Sequence, residues 1–489
     1  MATTNEDRLS RRDVLRVLAA LGLATPSAVE ARISSRRPIR PQTATLDDAP
    51  WAPGEVLPAK SVEYLNGIAA KLQQLKPEAI AAHVKSLGRA DEEWRRRKCL
   101  SLRAAEGIMG AGAQAVLNSS TATRVSEGFP GAKGGSGNGT DRYIDEVEGA
   151  IIYLAQKLFH AKYVEWRPIS NTMANALPLL ALTEPGDVIM SQAMGPGGGN
   201  SAYHDRGPGG FKKLAFIDLP FTENYGFDLP AIRALAGQVK PKLIVIGGSF
   251  VLFPYPIREL RQIANEVGAK IIYDAAHLAL LIAGGVFQQP LDEGADILTL
   301  STHKSFGGPV GGITLTNDAE LAEKMLRRTL PGFIQTRDAN KLVASAYSFA
   351  EVAEFGPAYA TQIVQNAKAF GEALDRAEGF KVLARDKGYT ETHQVIVNVR
   401  DIGVPKVVDL CLQSNILIQG ARLLGDQTDP SGLRLSVAEL TRLGMKQAQM
   451  PAVARFIRRA VNAEDPARLG AEVEHFLEPY QKVHYAFDV

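Results

Sequence analysis

Lys270-Ile271-Ile272-Tyr273-Asp274 and Ile297-Leu298-Thr299-Leu300-Ser301-Thr302-His303-Lys304 decide the reading of this chain. Each is an apolar run of strand length that ends in polar residues. Similar runs alternate with helical patterns from about residue 140 to residue 330. Strands are predicted at 162–166, 188–191, 214–218, 242–247, 269–273, 297–301 and 312–316. Helices are predicted at 172–182, at 257–267 (ended by Gly268) and from Asp318 onward. This alternation predicts an α/β fold with a mostly parallel sheet flanked by helices. In such sheets ligands collect beyond the carboxyl ends of strands. Asp274, His277, His303 and Lys304 all fall there, and Ser249 follows the 242–247 run in the same way.

Residue chemistry narrows the reading. A carboxylate beside Ile271, Ile272 and Tyr273 is costly to bury unless it meets a cation or a donor. Taken alone, Asp274 reads as a helix N-cap or a structural ion pair. A lysine at a strand end among apolar residues and glycines has a lowered pKa, which suits Schiff-base chemistry. Taken alone, Lys304 reads as a surface lysine in a glycine-rich turn, and Gly307-Gly308 and Gly311-Gly312 are expected to let backbone approach a bulky ligand. The two together, each with a histidine nearby, point to a pyridoxal phosphate site. Asp274 would pair with the ring nitrogen and Lys304 would carry the cofactor as a Schiff base.

Composition sets the bounds. The chain has 489 residues, 45% of them apolar, enough for two domains. Its 55 basic and 53 acidic residues nearly balance, so no global charge recruits nucleic acid or an anionic membrane. Cys99 and Cys411 are too far apart in sequence for a local metal or redox motif. No apolar run approaches the roughly 20 residues that span a bilayer. Residues 1–31 are expected to be a twin-arginine export signal, on Ser10-Arg11-Arg12-Asp13-Val14-Leu15-Arg16 and the apolar stretch after it. That predicts a periplasmic or exported protein. An amphipathic helix on a cytoplasmic protein is the other reading. Residues 32–56, rich in proline, read as a linker. A large domain is expected over 140–340. A smaller α+β domain is expected over 341–489, with a helix at 341–378 and strands at 380–383, 393–399, 416–419 and 433–436.

The segments Tyr273-Asp274-Ala275-Ala276-His277-Leu278-Ala279 and Ser301-Thr302-His303-Lys304-Ser305-Phe306-Gly307-Gly308-Pro309-Val310-Gly311-Gly312 resemble serine hydroxymethyltransferase. The likeness runs from about Ala104 into the C-terminal domain. It implies the type I pyridoxal-phosphate transferase fold and a homodimer with shared active sites, to which residues 57–139 contribute. It implies that Lys304 forms the internal aldimine, that His303 lies on the phosphate side, and that Asp274 meets the pyridinium. His277 and Ser249 would lie near the cofactor 3-oxygen. Ser170-Asn171-Thr172 would form the phosphate-binding turn at a helix start, where free N–H groups favour an anion. Glu127 would be the acid/base group from the other subunit. Arg434 would clamp the α-carboxylate of an amino-acid substrate, as a guanidinium fork does.

The same pattern is broken elsewhere. Two adjacent tyrosines of the family are Gly134-Gly135 here, the tyrosine two residues before the acid/base glutamate is Val125, an arginine is Val310 and a substrate-contacting serine is Ala105. The histidine that stacks on the cofactor falls in the rewritten segment Gly197-Gly198-Gly199-Asn200-Ser201-Ala202-Tyr203-His204. Ungapped matching gives Asn200, and a short shift gives Tyr203 or His204. His204 is the expected ring partner. An intact cofactor half beside an altered folate half predicts folate-independent aldol or retro-aldol cleavage of a β-hydroxy-amino acid. A tetrahydrofolate-dependent hydroxymethyltransferase and an inactive cofactor-binding protein are the alternatives.

Overall fold

The computed structural model describes residues 58–133, 141–193, 198–205, 207–222, 226–377, 379–426 and 428–487. The expected export signal, the linker, Gly134-Gly135 and Gly197 lie outside the described residues. The chain divides into two compact units, 1–90 and 91–489. In the first, the described chain carries the helix Ala59–Leu72 and most of the helix Pro77–Glu93, neither of which has a buried residue.

The second unit is built on a seven-stranded sheet. In chain order the strands are β1 (Val125–Glu127), β2 (Tyr163–Glu165), β3 (Val188–Ser191), β4 (Ala215–Asp218), β5 (Leu243–Gly247), β6 (Lys270–Asp274), β7 (Ile297–Ser301), β8 (Gly312–Thr316) and β9 (Thr336–Asp338). The sheet order is β2-β8-β7-β6-β5-β3-β4, while β1 and β9 pair separately. From β4 to β7 all neighbours are parallel, and β8 and β2 close one edge antiparallel. The centre is buried along its length. Every residue of β5 and β7 is buried, and so are Ile271 to Asp274 of β6. That burial explains why these strands read as continuous apolar runs rather than as alternation. The helix Ile257–Val267 ends as the sequence predicts, with Gly268 in the left-handed region at φ 72°.

The helix Ala339–Asp375 links two cores. Leu342, Phe349 and Val352 join the core around the large sheet, while Ala367, Phe370 and Leu374 join a second core. That second core surrounds an antiparallel sheet of β10 (Lys381–Val382), β11 (Gln394–Asn398), β12 (Gly420–Ala421) and β13 (Gly432–Ser436), in the order β10-β11-β13-β12. It also takes in Leu100 and Leu102 from far upstream, because Leu100–Ser101 pairs in parallel with Ile416–Leu417. The strand predicted at 416–419 stops at Leu417. The backbone of Gln419 turns to accept the N–H of Arg434 at 2.9 Å. Among the described residues no helix is long and apolar enough to cross a membrane.

Buried Asn366 ties the linking helix to the segment that follows β13. It donates to Thr441 Oγ1 at 2.8 Å and to the Met445 carbonyl at 2.9 Å. Replacement by alanine strips a buried carbonyl of its donor. Asn366→Ala is expected to cost about 1–3 kcal/mol, read as a lower urea-unfolding midpoint. An unchanged midpoint would show that these bonds carry no stability.

Candidate active site

Asp274 closes β6 and is fully buried. Among the described residues its carboxylate meets neutral donors only. Oδ1 accepts the Ala276 N–H at 2.9 Å and Asn171 Nδ2 at 3.2 Å, while Oδ2 accepts Asn175 Nδ2 at 2.8 Å and Asn200 Nδ2 at 2.9 Å. Asn171 and Asn175 stand one turn apart on the helix Asn171–Leu182, so their side chains share a face. The amide of Asn175 is fixed in turn by Thr299 Oγ1 of β7, which donates to its Oδ1 at 2.5 Å. Four neutral hydrogen-bonding groups satisfy the lone pairs of this buried carboxyl group, and no cation is among them. The carboxyl group fits a protonated ring nitrogen.

Lys304 stands near this carboxylate, in the turn after β7 closed by the Gly307 N–H to the Lys304 carbonyl at 3.0 Å. Burial lowers its ammonium to about 8, against the pull of Asp274 and with a smaller push from Arg434. His303 accepts or donates at 2.8 Å to Ser301 Oγ through Nδ1, and burial followed by the Lys304 charge takes it down to about 4. His277 is buried, and its pKa is depressed by burial and then by Lys304, Arg434 and the neighbouring histidines. Both rings are therefore neutral near pH 7. His277 stacks on His393 with centroids 5.7 Å apart, and the Nδ1 of each finds no partner among the described residues.

Arg434, on β13, is 7% exposed. Its donors meet the Ser249 carbonyl and, at 3.1 Å, Gln419 Oε1, while Nε finds no partner among the described residues. Both acceptors are neutral, so the guanidinium is a buried cation with an open edge. Ser249 thus joins the Asp274 side of the large sheet to β13. Its carbonyl also accepts Gln394 Nε2 at 3.1 Å.

In the turn expected to bind phosphate, each residue has its own place. Ser170 caps the helix by accepting the Met173 N–H at 3.2 Å, and exposed Thr172 lies in the first turn. The side chain of Asn171 goes to Asp274 instead, leaving its backbone N–H at the helix start. The glycines after Lys304 also act otherwise than expected. A side-chain carbon at Gly312 would collide with the Ser170 carbonyl, so that glycine lets the protein's own backbone close up rather than admitting a ligand.

Two expected residues sit apart from this cluster. The ring of His204 tilts against Phe216 at 5.9 Å, and its Nε2 lies 3.1 Å from the Gln192 carbonyl. It is Asn200, four residues earlier, that reaches Asp274. The short 3-10 turn Ser201–Tyr203 swings His204 away and packs Tyr203 into the core. Glu127 lies on β1, paired with Thr336 of β9, and forms no hydrogen bond or ion pair with Lys304, Asp274 or Arg434 among the described residues. Sequence reasoning missed Asn175, Gln419 and His393. The first had a signal, the i, i+4 spacing from Asn171; the other two are brought in by pairing between distant strands.

The lowered lysine gives a direct check. A group whose folded pKa is depressed is neutral above that value, so Nζ of Lys304 should react with an amine reagent along a curve rising through about pH 8 in cofactor-free protein. A curve rising only near the ordinary lysine value would show that burial does not act on this amine.

Comparison with known proteins bears on this geometry. The serine hydroxymethyltransferase family matches residues 81–457. Serine hydroxymethyltransferase of Pyrococcus horikoshii is 38% identical over 409 residues, covering 81% of this chain and 94% of that protein. That of Methanosphaera stadtmanae is 38% identical over 414 residues, covering 83% and 96%. The crystal structure of L-threonine transaldolase from Pseudomonas fluorescens in its internal aldimine state superposes with a TM-score of 0.77 at 26% identity, over 86% of this chain and 96% of that one. The fold is therefore that of the type I pyridoxal-phosphate enzymes, and pyridoxal phosphate is the cofactor. With its sheet-end carboxylate and lysine in place, the chain belongs to the serine hydroxymethyltransferase family of pyridoxal-phosphate-dependent enzymes.

Proposed function

We propose that this enzyme makes or breaks the Cα–Cβ bond of a β-hydroxy-amino acid without folate, as an aldolase or transaldolase. One observation carries the reading. While Asp274, Lys304 and Arg434 are retained, the positions where the family has a tyrosine and an arginine present bare aliphatic surface, with Val125 54% exposed and Val310 56% exposed. Phenolic and guanidinium donors for a large polar second substrate are missing there. The likeness to a threonine transaldolase supports the same chemistry. A tetrahydrofolate-dependent glycine/serine exchange is the second reading, favoured by the names of the relatives at 38% identity.

Bound pyridoxal phosphate supplies an aldehyde that takes up amines and a ring that accepts the electron pair released at Cα. The protein does the rest. Asp274 holds the ring nitrogen in its protonated form by charge. The N–H groups at the start of the Asn171–Leu182 helix, with Ser170 and Thr172, would hold the phosphate, with neutral His303 on that side. His277, backed by His393, and Ser249 would lie near the 3-oxygen. Lys304, with its ammonium near 8, holds or releases a proton at neutral pH. The open edge of Arg434 takes the substrate carboxylate and so fixes which Cα bond is cleaved. Glu127, from the second subunit of a homodimer, exchanges a proton with the substrate β-hydroxyl. We also propose export through the twin-arginine signal.

Several outcomes test this. Purified protein should show a visible cofactor absorbance that borohydride fixes covalently on Lys304, and Lys304→Ala should lose both. Threonine, phenylserine or serine should release aldehyde without tetrahydrofolate; release that appears only with folate would overturn the aldolase reading in favour of the second. Arg434→Ala should raise KM for the amino acid on the order of 10–100-fold, the value of a charge-assisted bond. If KM is unmoved, the carboxylate binds elsewhere. For export, N-terminal sequencing of protein from its source cells should find a start near residue 32, and a start at Met1 or Ala2 would contradict it.

A further inference from the structure

Asn200 does two things with one amide. Its Oδ1 accepts the Ala202 N–H at 3.0 Å, capping the Ser201–Tyr203 turn, and its Nδ2 donates to Asp274 Oδ2 at 2.9 Å. The first bond fixes which end of the amide is which, so the donor is always the end that faces the carboxylate. The approach to Asn200 is equally constrained. A side-chain carbon at Gly199 would collide with the Gln192 carbonyl, and the Gly199 N–H is spent on the Ala193 carbonyl at 2.9 Å. On the other side the Gly198 carbonyl accepts the Ser249 N–H at 2.7 Å and Ser249 Oγ at 3.2 Å. The glycines of this segment thus thread it between Gln192 and Ser249 and deliver one amide to a buried carboxylate.

We infer that Asn200 is a positioning residue for Asp274: by donating to Oδ2 from a fixed direction it sets the rotation of the carboxylate that faces the cofactor ring nitrogen. Asn175 holds the same oxygen at 2.8 Å from the helix side, so the two amides clamp Oδ2 between separate parts of the chain. A ring that stacks, such as the histidine expected here, does not supply that donor. The inference rests on the proposed placing of Asp274 against the ring nitrogen.

The test measures pyridoxal-phosphate affinity of reconstituted protein by absorbance titration across pH 6–9, as the ratio of variant to wild type at each pH. Asn200→Ala and Asn200→Ser both lose the donor to Asp274, although serine can still cap Ala202. Each is expected to bind the cofactor on the order of 10-fold more weakly, with little change of the ratio with pH. Asn200→Asp sets a second carboxylate against Asp274, and two carboxylates in contact cannot both stay ionised. Its loss should be greatest at pH 9 and shrink towards pH 6, where a shared proton restores a donor. A structural role alone would give a loss without that slope. Affinity within twofold of wild type in the alanine and serine variants, or an aspartate variant whose loss is flat with pH, would overturn the inference. Asp274→Asn separates the two levels. If it leaves cofactor affinity and visible absorbance unchanged, the placing of Asp274 fails; if it perturbs them while the Asn200 variants do not, only the role of Asn200 fails.

Discussion

A buried carboxylate whose protein partners are all neutral is the constraint on which the site depends. Asp274 sits at the end of a strand with both faces covered, where an unneutralised charge is expensive. Three asparagine amides and one backbone N–H satisfy its oxygens, and none of them brings a positive charge. The chain has arranged for a cation to arrive from outside. The same economy governs Arg434, a buried guanidinium satisfied by a carbonyl and an amide, with one edge left over. Lys304 feels both charges, and burial lowers its ammonium to about 8.

The scaffold explains why the groups can be held so. Parallel strands β5 and β6 end side by side at Gly247 and Asp274, β7 runs two residues beyond its pairing with Asp274, and Ser249, Asp274 and the His303-Lys304 turn all fall at these strand ends. The second sheet brings Arg434 and His393 from the other side. Its link to the first core is physical, through the helix Ala339–Asp375 and the bond from Arg434 to the Ser249 carbonyl. A substrate carboxylate at Arg434 would therefore bear on both sheets at once.

Much of this was legible in the residues. The central strands announced themselves as apolar runs because both their faces are buried, and polar residues at their ends could only be placed at the ligand side. β3, β7 and β8 have the predicted bounds, and the other large-sheet strands differ by a residue or so at their ends. What could not be read is what non-local pairing decides. Leu100 and Leu102 join the C-terminal core through pairing with a strand more than 300 residues later. His393 meets His277, and Gln419 meets Arg434, only once two sheets have formed. The turn at Ser201–Tyr203 is a local matter, but its cap is an asparagine that also serves Asp274, and a one-dimensional match cannot weigh Asn200 against His204. Glycines after Lys304 misled for a related reason, since close approach was correct and the approaching partner was the protein itself.

The account stands or falls on the charge state that Asp274 imposes. Nitrogen NMR of the protein reconstituted with ring-15N pyridoxal phosphate reads it directly. The account predicts the shift of a protonated pyridine nitrogen from pH 7 to pH 9, moving to that of an unprotonated one in Asp274→Ala. A ring nitrogen that is unprotonated in the wild type, or protonated equally in both proteins, would contradict it.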